Sequence, residues 1–383
     1  MTENKNNNFN EQTILQWLRL IRSENVGPIT FNKLLEMYGN AESALDALPE
    51  MAKKGGRKKP LVLYPEDKAM AEIKALKKYG GEFIIKMDAR YPLNLMSCDD
   101  SPPVLAVIGN PDLLNTTGIA IVGGRNASAA GQDLSRRFAH ELGEAGYPIV
   151  SGLARGIDTA AHKGSLKYGT IAVVAGGIDV IYPEENTDLY HEIVKHGLVV
   201  SENPFGTQPQ RHFFPKRNRI IAGLSRGVVV IEGRKKSGSL ITAKVALDYG
   251  REIYAVPGSP LDARSYGANH LIQTSAALLV NSAKDVLDHI EFSSQTTLRE
   301  SEFENPFLHK KPIADELGNI DDNLRQKCQE DILSCLSVTP VQIDQIIRQT
   351  GITPALAQAI LLELELAGSV RRDAGGLISL TLK

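Results

Sequence analysis

Short, continuous β-branched runs that end in glycine-rich turns are the feature that most constrains this chain. FIIKM, IAIVG (119–123), YPIVS (147–151), TIAVVAG (170–176), LVVSE (198–202), GVVVIE (227–232) and EIYAVP (252–257) read as strands, with helical spacing between them. Uninterrupted apolar strands suit burial on both faces. Their alternation with helices predicts an α/β fold built on an extended Rossmann-like, doubly wound parallel sheet. In such a sheet the turns after the strands gather at one edge, where helix N-termini present unpaired N–H groups to anions. Here the turns are GGRNASAAG (123–131), SGLARGIDTAAH (151–162), AGGIDVIYP (175–183) and GRKKSGSLITA (233–243), which together predict a phosphate-lined cleft.

A dinucleotide would be the usual occupant, yet GGRNASAAG lacks the G-x-G-x-x-G spacing and no G-x-x-x-x-G-K-[ST] run occurs. No cofactor is expected. The anion is signalled instead by RHFFPKRNRIIAGLSRGVVVIEGRKK (211–236), where eight Lys and Arg face one acid, Glu232, in a chain of net charge −2. Pro215 can open a helix, which would put Lys216, Arg217, Asn218 and Arg219 in its first turn beside the glycine turns. Cations there oppose the helix dipole, and a bound anion would offset the repulsion. Phe213 and Phe214 lie just before, where an exposed ring can stack on a base, an interaction worth about 1–3 kcal/mol and tolerant of sequence. The alternative is that the phenylalanines are core and the arginines pair with acids across the sheet.

A length of 383 residues points to two or three domains. Helical spacing from Glu11 to about Leu48, broken at Val26-Gly27-Pro28, suggests two short helices. NVGPITFNKLLEMYG resembles a helix-hairpin-helix or SAM-like module, whose glycine turn can offer N–H groups to a phosphate; a plain helical protein-contact domain has the same pattern. KKGGRKK (53–59) reads as a solvated loop. After Phe292 periodicity is lost, and QEDILSCLS, TPVQIDQIIRQTG and TPALAQAILLELELAG then give three helices before two short strands, a winged-helix pattern. We place the helical domain at 11–78, the Rossmann-like domain at 79–291, a linker at 292–324 and the winged helix at 325–383. The recognition helix PALAQAILLELELAG carries no cation, so protein contact or regulation is expected of it rather than entry into a DNA groove. Only Arg371 and Arg372, at the wing, lie near it. No apolar run reaches membrane-spanning length and the N-terminus is polar rather than signal-like, so a cytoplasmic protein is expected. Cys98, Cys328 and Cys335 are neither even in number nor spaced as a metal site.

The ordered motifs VGGRNAS, SGLARGIDTAAHKGSL, VVAGGIDVIYPEEN, SENPFG, FFPKRNRIIAGLS, SGSLITAKVALDYGREIYAVPGS and GANHLIQ resemble the DNA-processing protein A family, also called Smf. The resemblance implies a homodimer that binds and shields single-stranded DNA in natural transformation, helps load the RecA recombinase, and has no catalytic turnover. It implies that Arg125 holds a DNA phosphate, that Phe214, Lys216, Arg217, Asn218 and Arg219 belong to the DNA pocket, and that Ser237, Gly238 and Ser239 form its S-G-S turn. With the glycine turns and flanking cations, Gly123, Gly152, Arg155 and Arg211 complete the expected DNA-binding set. Gly124 departs from the family's serine, and Ser275 from a glycine.

The competing enzyme reading is a nucleotide phosphoribohydrolase of the lysine-decarboxylase-like type, which shares the fold and carries a P-G-G-x-G-T-x-x-E turn. Here K-K-S-G-S-L-I-T-A has no acid in the glutamate's place. Lacking a positioned base removes about 10²–10⁴-fold of rate. Asp158 and Asp179 are suited to holding turns, and His162 lacks a nucleophile partner.

Overall fold

The structure, a computed structural model, describes residues 10–296, 322–373 and 376–381, which fall into two compact units. Residues 72–296 form one, and 10–71 join 322–381 in the other.

The N-terminal segment begins with α1 (Glu11–Arg22), whose first N–H groups are capped by Asn10. Next come α2 (Pro28–Tyr38), closed by left-handed Gly39, and α3 (Ala41–Lys54), capped by Asn40. The segment therefore holds three helices where the sequence suggested two, because α3 runs on through Pro49. Trp17 and Phe31 meet in its core with ring centroids 4.9 Å apart. α4 (Glu66–Tyr79) leads into the larger unit.

That unit runs β1 (Glu82–Ile85), α5 (Leu93–Met96), β2 (Val104–Gly109), β3 (Gly118–Val122), α6 (Ala129–Glu144), β4 (Ile149–Ser151), α7 (Ile157–Ser165) and β5 (Thr170–Val173). It continues with α8 (Thr187–His196), β6 (Leu198–Ser201), α9 (Phe213–Gly223), β7 (Ser225–Val230), α10 (Gly238–Asp248), β8 (Glu252–Ala255), α11 (Tyr266–Gln273), β9 (Leu278–Leu279) and α12 (Ala283–Thr296). The strands form one sheet in the order β1-β2-β6-β5-β4-β3-β7-β8-β9.

From β6 to β9 the sheet is parallel, but β2 runs antiparallel to β6 and β1 antiparallel to β2. The all-parallel expectation is corrected at this edge, where the four-residue α5 is too short to act as a crossover helix. Strand order reverses at β3: the chain winds out through β4, β5 and β6, then returns by α9 to β7 on the other side. Alternate residues of β3 pack opposite faces, Ile119 and Ile121 with Phe138 and Leu142 of α6, Ala120 and Val122 with Ile220 and Ile221 of α9.

The C-terminal module comprises α13 (Asp322–Ser334), β10 (Val341–Gln342), α14 (Ile343–Thr350), α15 (Pro354–Leu366), β11 (Val370–Asp373) and β12 (Leu377–Leu380). Its strands pair as β10-β12-β11. Residues 297–321 of the segment read as a linker lie outside the described residues; α12 extends to Thr296 and α13 starts at Asp322.

Ser275, just past the end of α11, has a left-handed backbone with φ 55 and donates its N–H to the Ile272 carbonyl. An L side chain is disfavoured there, and glycine is not. Ser275→Gly is expected to stabilise the folded chain by about 0.5 kcal/mol, read as a raised midpoint in thermal unfolding.

Candidate nucleic-acid interface

At the strand reversal, a cavity of about 280 Å³ opens among Gly123, Arg125, Ala154, Asp158, Phe214, Arg217, Asn218, Thr242 and the Ser237-Gly238-Ser239 turn. Of the helices that begin along this edge, α6 and α7 already carry a carboxylate from within the protein. At α6, Glu232 accepts from the Ser128 N–H at 2.9 Å and from its hydroxyl at 2.5 Å, while Ser128 caps the Gly131 N–H. Gly131 has to be glycine, since a Cβ there would overlap the Glu232 carboxylate. A carboxylate thus fills the place where a Rossmann fold seats a pyrophosphate. At α7, the buried Asp158 accepts from the Ala154 N–H at 3.3 Å. Burial pushes its carboxyl pKa up, against the pull of the nearby Arg217 guanidinium.

The N-terminus of α10 carries no carboxylate. Ser237 caps it through the Ser239 N–H, and the Asn218 amide reaches the Gly238 carbonyl at 3.3 Å to fix the turn against α9. An anion entering the cavity meets this N-terminus and Arg125 together.

α9 begins at Phe213, two residues before Pro215, so its cations sit beyond the first turn and the dipole argument from sequence does not apply. What places them is burial. Arg217 is 5% exposed and donates from one Nη to the carbonyls of Gly152 at 2.5 Å and Val173 at 2.6 Å. Burial lowers its pKa to about 10, which leaves it charged at neutral pH. The Phe214 ring lies 5.0 Å from the Arg125 guanidinium and 5.9 Å from that of Arg217. On its other side a smaller pocket gathers Arg125, Gly152, Arg155, Tyr182 and Pro209, with the Tyr182 ring 5.9 Å from Phe214.

Comparison with known proteins is decisive once this geometry is in view. The family described as DNA recombination-mediator protein A matches residues 82–291, the DprA-like N-terminal HHH domain 11–75, and the DprA winged helix domain 322–376. Protein Smf of Synechocystis is 31% identical, covering 94% of this chain and 96% of its own. The chain belongs to the DNA-processing protein A (DprA/Smf) family. DNA processing protein DprA of Streptococcus pneumoniae is 48% identical over 54% of this chain and 73% of its own. The X-ray structure of that Streptococcus pneumoniae protein superposes with TM-score 0.60, 39% identity and coverage of 71% of this chain and 95% of its own. A structure of DNA processing protein A from Helicobacter pylori, described for its single-stranded DNA binding mode, gives 0.52 and 27% identity over 56% and 96%.

Of the residues that the DprA/Smf motifs single out, the main cavity collects Gly123, Arg125, Phe214, Arg217, Asn218, Ser237, Gly238 and Ser239, and the smaller pocket adds Gly152 and Arg155. Arg155 also pairs with Glu185 at 3.4 Å across solvent. Arg211 and Lys216 are exposed and line neither pocket. Arg219 is a correction: it is buried, pairing with Glu202 and bonding the Asp100 carbonyl, so its charge is spent inside the fold. The helical period separates it from Arg217, which faces the cavity two residues earlier. Gly124, unlike its neighbours, has room, since a Cβ there would meet only the Glu232 carbonyl at 3.8 Å. Sequence reasoning missed Tyr182, although it quoted the motif GGIDVIYP that contains it.

His162, four residues after Asp158, is fully buried; its Nε2 accepts from the Leu153 N–H and its Nδ1 meets the Thr170 hydroxyl at 2.7 Å. Those bonds hold Leu153 at φ 57, with the Asn186 amide on its carbonyl. Burial lowers the His162 pKa to about 3, so the folded chain keeps it neutral where the unfolded chain protonates it near 6.5. Stability is therefore lost as pH falls from about 6.5 toward 3. His162→Gln should flatten the dependence of unfolding free energy on pH in this window by up to about 1.4 kcal/mol per pH unit, measured by denaturant titration at several pH values. Arg219→Ala, which removes the buried guanidinium that pairs with Glu202 and bonds the Asp100 carbonyl, should cost about 3 kcal/mol of stability in the same measurement.

Proposed function

We propose that this chain binds single-stranded DNA in the cleft at the sheet's carboxyl edge and serves natural transformation, sheltering the incoming strand and helping to load the RecA recombinase onto it. The observation that carries the reading is a helix N-terminus free of any carboxylate, that of α10, beside an aromatic ring flanked by two arginines. The N-terminus and Arg125 suit a phosphate, whatever the sequence around it. Phe214, with Tyr182 beyond it, suits the face of an unstacked base, which a duplex does not present. Asp158, which lines the cavity, and His162, on the same helix, both hold backbone, which supports binding rather than turnover.

A homodimer belongs to the same proposal. β9 ends the sheet with Leu278 43% and Leu279 49% exposed, an apolar edge strand of the kind that proteins cover with a partner. Two clefts on one strand would bind more tightly than either alone. No helix among the described residues is long and apolar enough to cross a membrane, and a cytoplasmic location is part of the reading. The RecA step rests on family membership and is tested by RecA nucleation on protein-coated single strands; unchanged nucleation removes it.

Labelled oligothymidine should bind in preference to duplex of equal length, with log affinity falling against log salt by about 0.7 per phosphate neutralised. Arg125→Ala should flatten that slope by about 0.7. Phe214→Ala should weaken binding by about 1–3 kcal/mol and leave the slope unchanged. Affinity that survives both substitutions would remove the cleft from the reading and make nucleoside monophosphate hydrolysis the next assay.

A further inference from the structure

The two terminal modules each carry a surface of a type that touches DNA, and in the smaller unit those surfaces face each other. α15 holds the position of a winged-helix recognition helix. Its residues Ile360, Leu361 and Leu364 belong to the core of its own module. Leu362 and Leu366 lie outside that core and are equally buried, at 1% and 0% exposure, and α3 packs on this helix. From Ala359 to Leu364 the helix is buried on every side, and exposure is confined to its first turns, at Pro354, Ala355 and Gln358.

The contact is specific as well as apolar. Asn25, in the turn before α2, takes a left-handed backbone with φ 61, which asparagine tolerates, and donates its side-chain amide to the Leu366 carbonyl at 3.0 Å. That carbonyl is among the last of α15, which find no N–H donor inside the helix. Thr30, in the first turn of α2, donates its hydroxyl to Glu365 at 2.9 Å, and Arg372 from the wing reaches the same carboxylate at 3.3 Å. Gly55, at the end of α3, lies so close that a Cβ would collide with the Glu363 carbonyl. The residues on either side of the glycine turn, Asn25 and Thr30, thus engage the carboxyl end of a protein helix.

We propose that the turn before α2 and α3 of the N-terminal module are a docking surface whose partner is α15 of the same chain, and that the docked unit is built for protein contact, with neither module a reader of nucleic acid. The combined unit is protein-facing, and the Rossmann-like unit alone contacts DNA. The absence of any cation on α15 agrees with this assignment.

Gly55→Ala separates docking from folding. Gly55 has φ −69 and ψ 2, a conformation open to alanine, so α3 and its neighbours keep their own structure while the added Cβ meets Glu363. Asn25→Gly keeps the left-handed turn and removes the amide. Gly27→Ala is the control, since a Cβ there meets nothing within 4 Å. In the full-length chain, amide hydrogen exchange over residues 354–368 should quicken by about tenfold or more in Gly55→Ala, and to a lesser degree in Asn25→Gly. Peptides of the sheet and the Gly27→Ala control should match the parent chain. Unchanged exchange in both docking variants would overturn the proposal. So would a gain of duplex affinity in Gly55→Ala, which would show α15 to be a DNA reader held in reserve; unchanged duplex affinity with faster exchange supports it.

Discussion

The guanidinium of Arg217 ties α9 to the ends of β4 and β5, and that attachment sets the shape of the cleft. The Gly152 and Val173 carbonyls at the sheet's edge accept from it, and Gly152 can carry no side chain because the guanidinium occupies the space. Once Arg217 is seated, Phe214 falls one helical turn back, over the cavity and against Arg125. The opposite face of the helix is pinned just as firmly, by Arg219 on Glu202. A short helix with charged anchors on two sides offers a ligand a pre-positioned ring, so little ordering entropy is lost on binding.

Specificity for one kind of anion comes from what the cleft already contains. Glu232 and Asp158 supply internal negative charge to the N-termini of α6 and α7, while α10, which has no acid in its first turn, is left as the seat for an outside phosphate. A pyrophosphate gripped by the first glycine turn would have to displace a carboxylate held by a hydroxyl and an N–H, with like charges meeting at close range. A polymer that places single phosphates between stackable bases fits what remains.

Much of this was legible in the sequence because it depended on local pattern. Seven of the strands and the gathering of the glycine turns at one edge of the sheet can be read from β-branched runs and glycine spacing. β2 was missed although VLAVIG has the same composition, and no residue within the strand signals its antiparallel course. The cations at 216–219 look equivalent in sequence and are not. Only the helical period, once the helix start is known, sends Arg217 to the cavity, Arg219 to Glu202 and Lys216 to solvent. Glu232 was read as a lone acid in a basic stretch, because nothing near it reveals that Ser128 is its partner. The meeting of α3 with α15 joins the two ends of the chain, a pairing that local pattern cannot carry.

Gly131 and Glu232 illustrate how such a distant pairing constrains change over evolutionary time. The carboxylate occupies the volume that any side chain at 131 would need, and Ser128 donates both its N–H and its hydroxyl to that carboxylate. A larger residue at 131 pushes the carboxylate off Ser128 unless 232 has shortened, and shortening 232 first leaves α6 uncapped by charge. Substitution at either site therefore passes through a less fit intermediate, and lineages should differ at both positions or at neither. Across related chains, the pair should vary together.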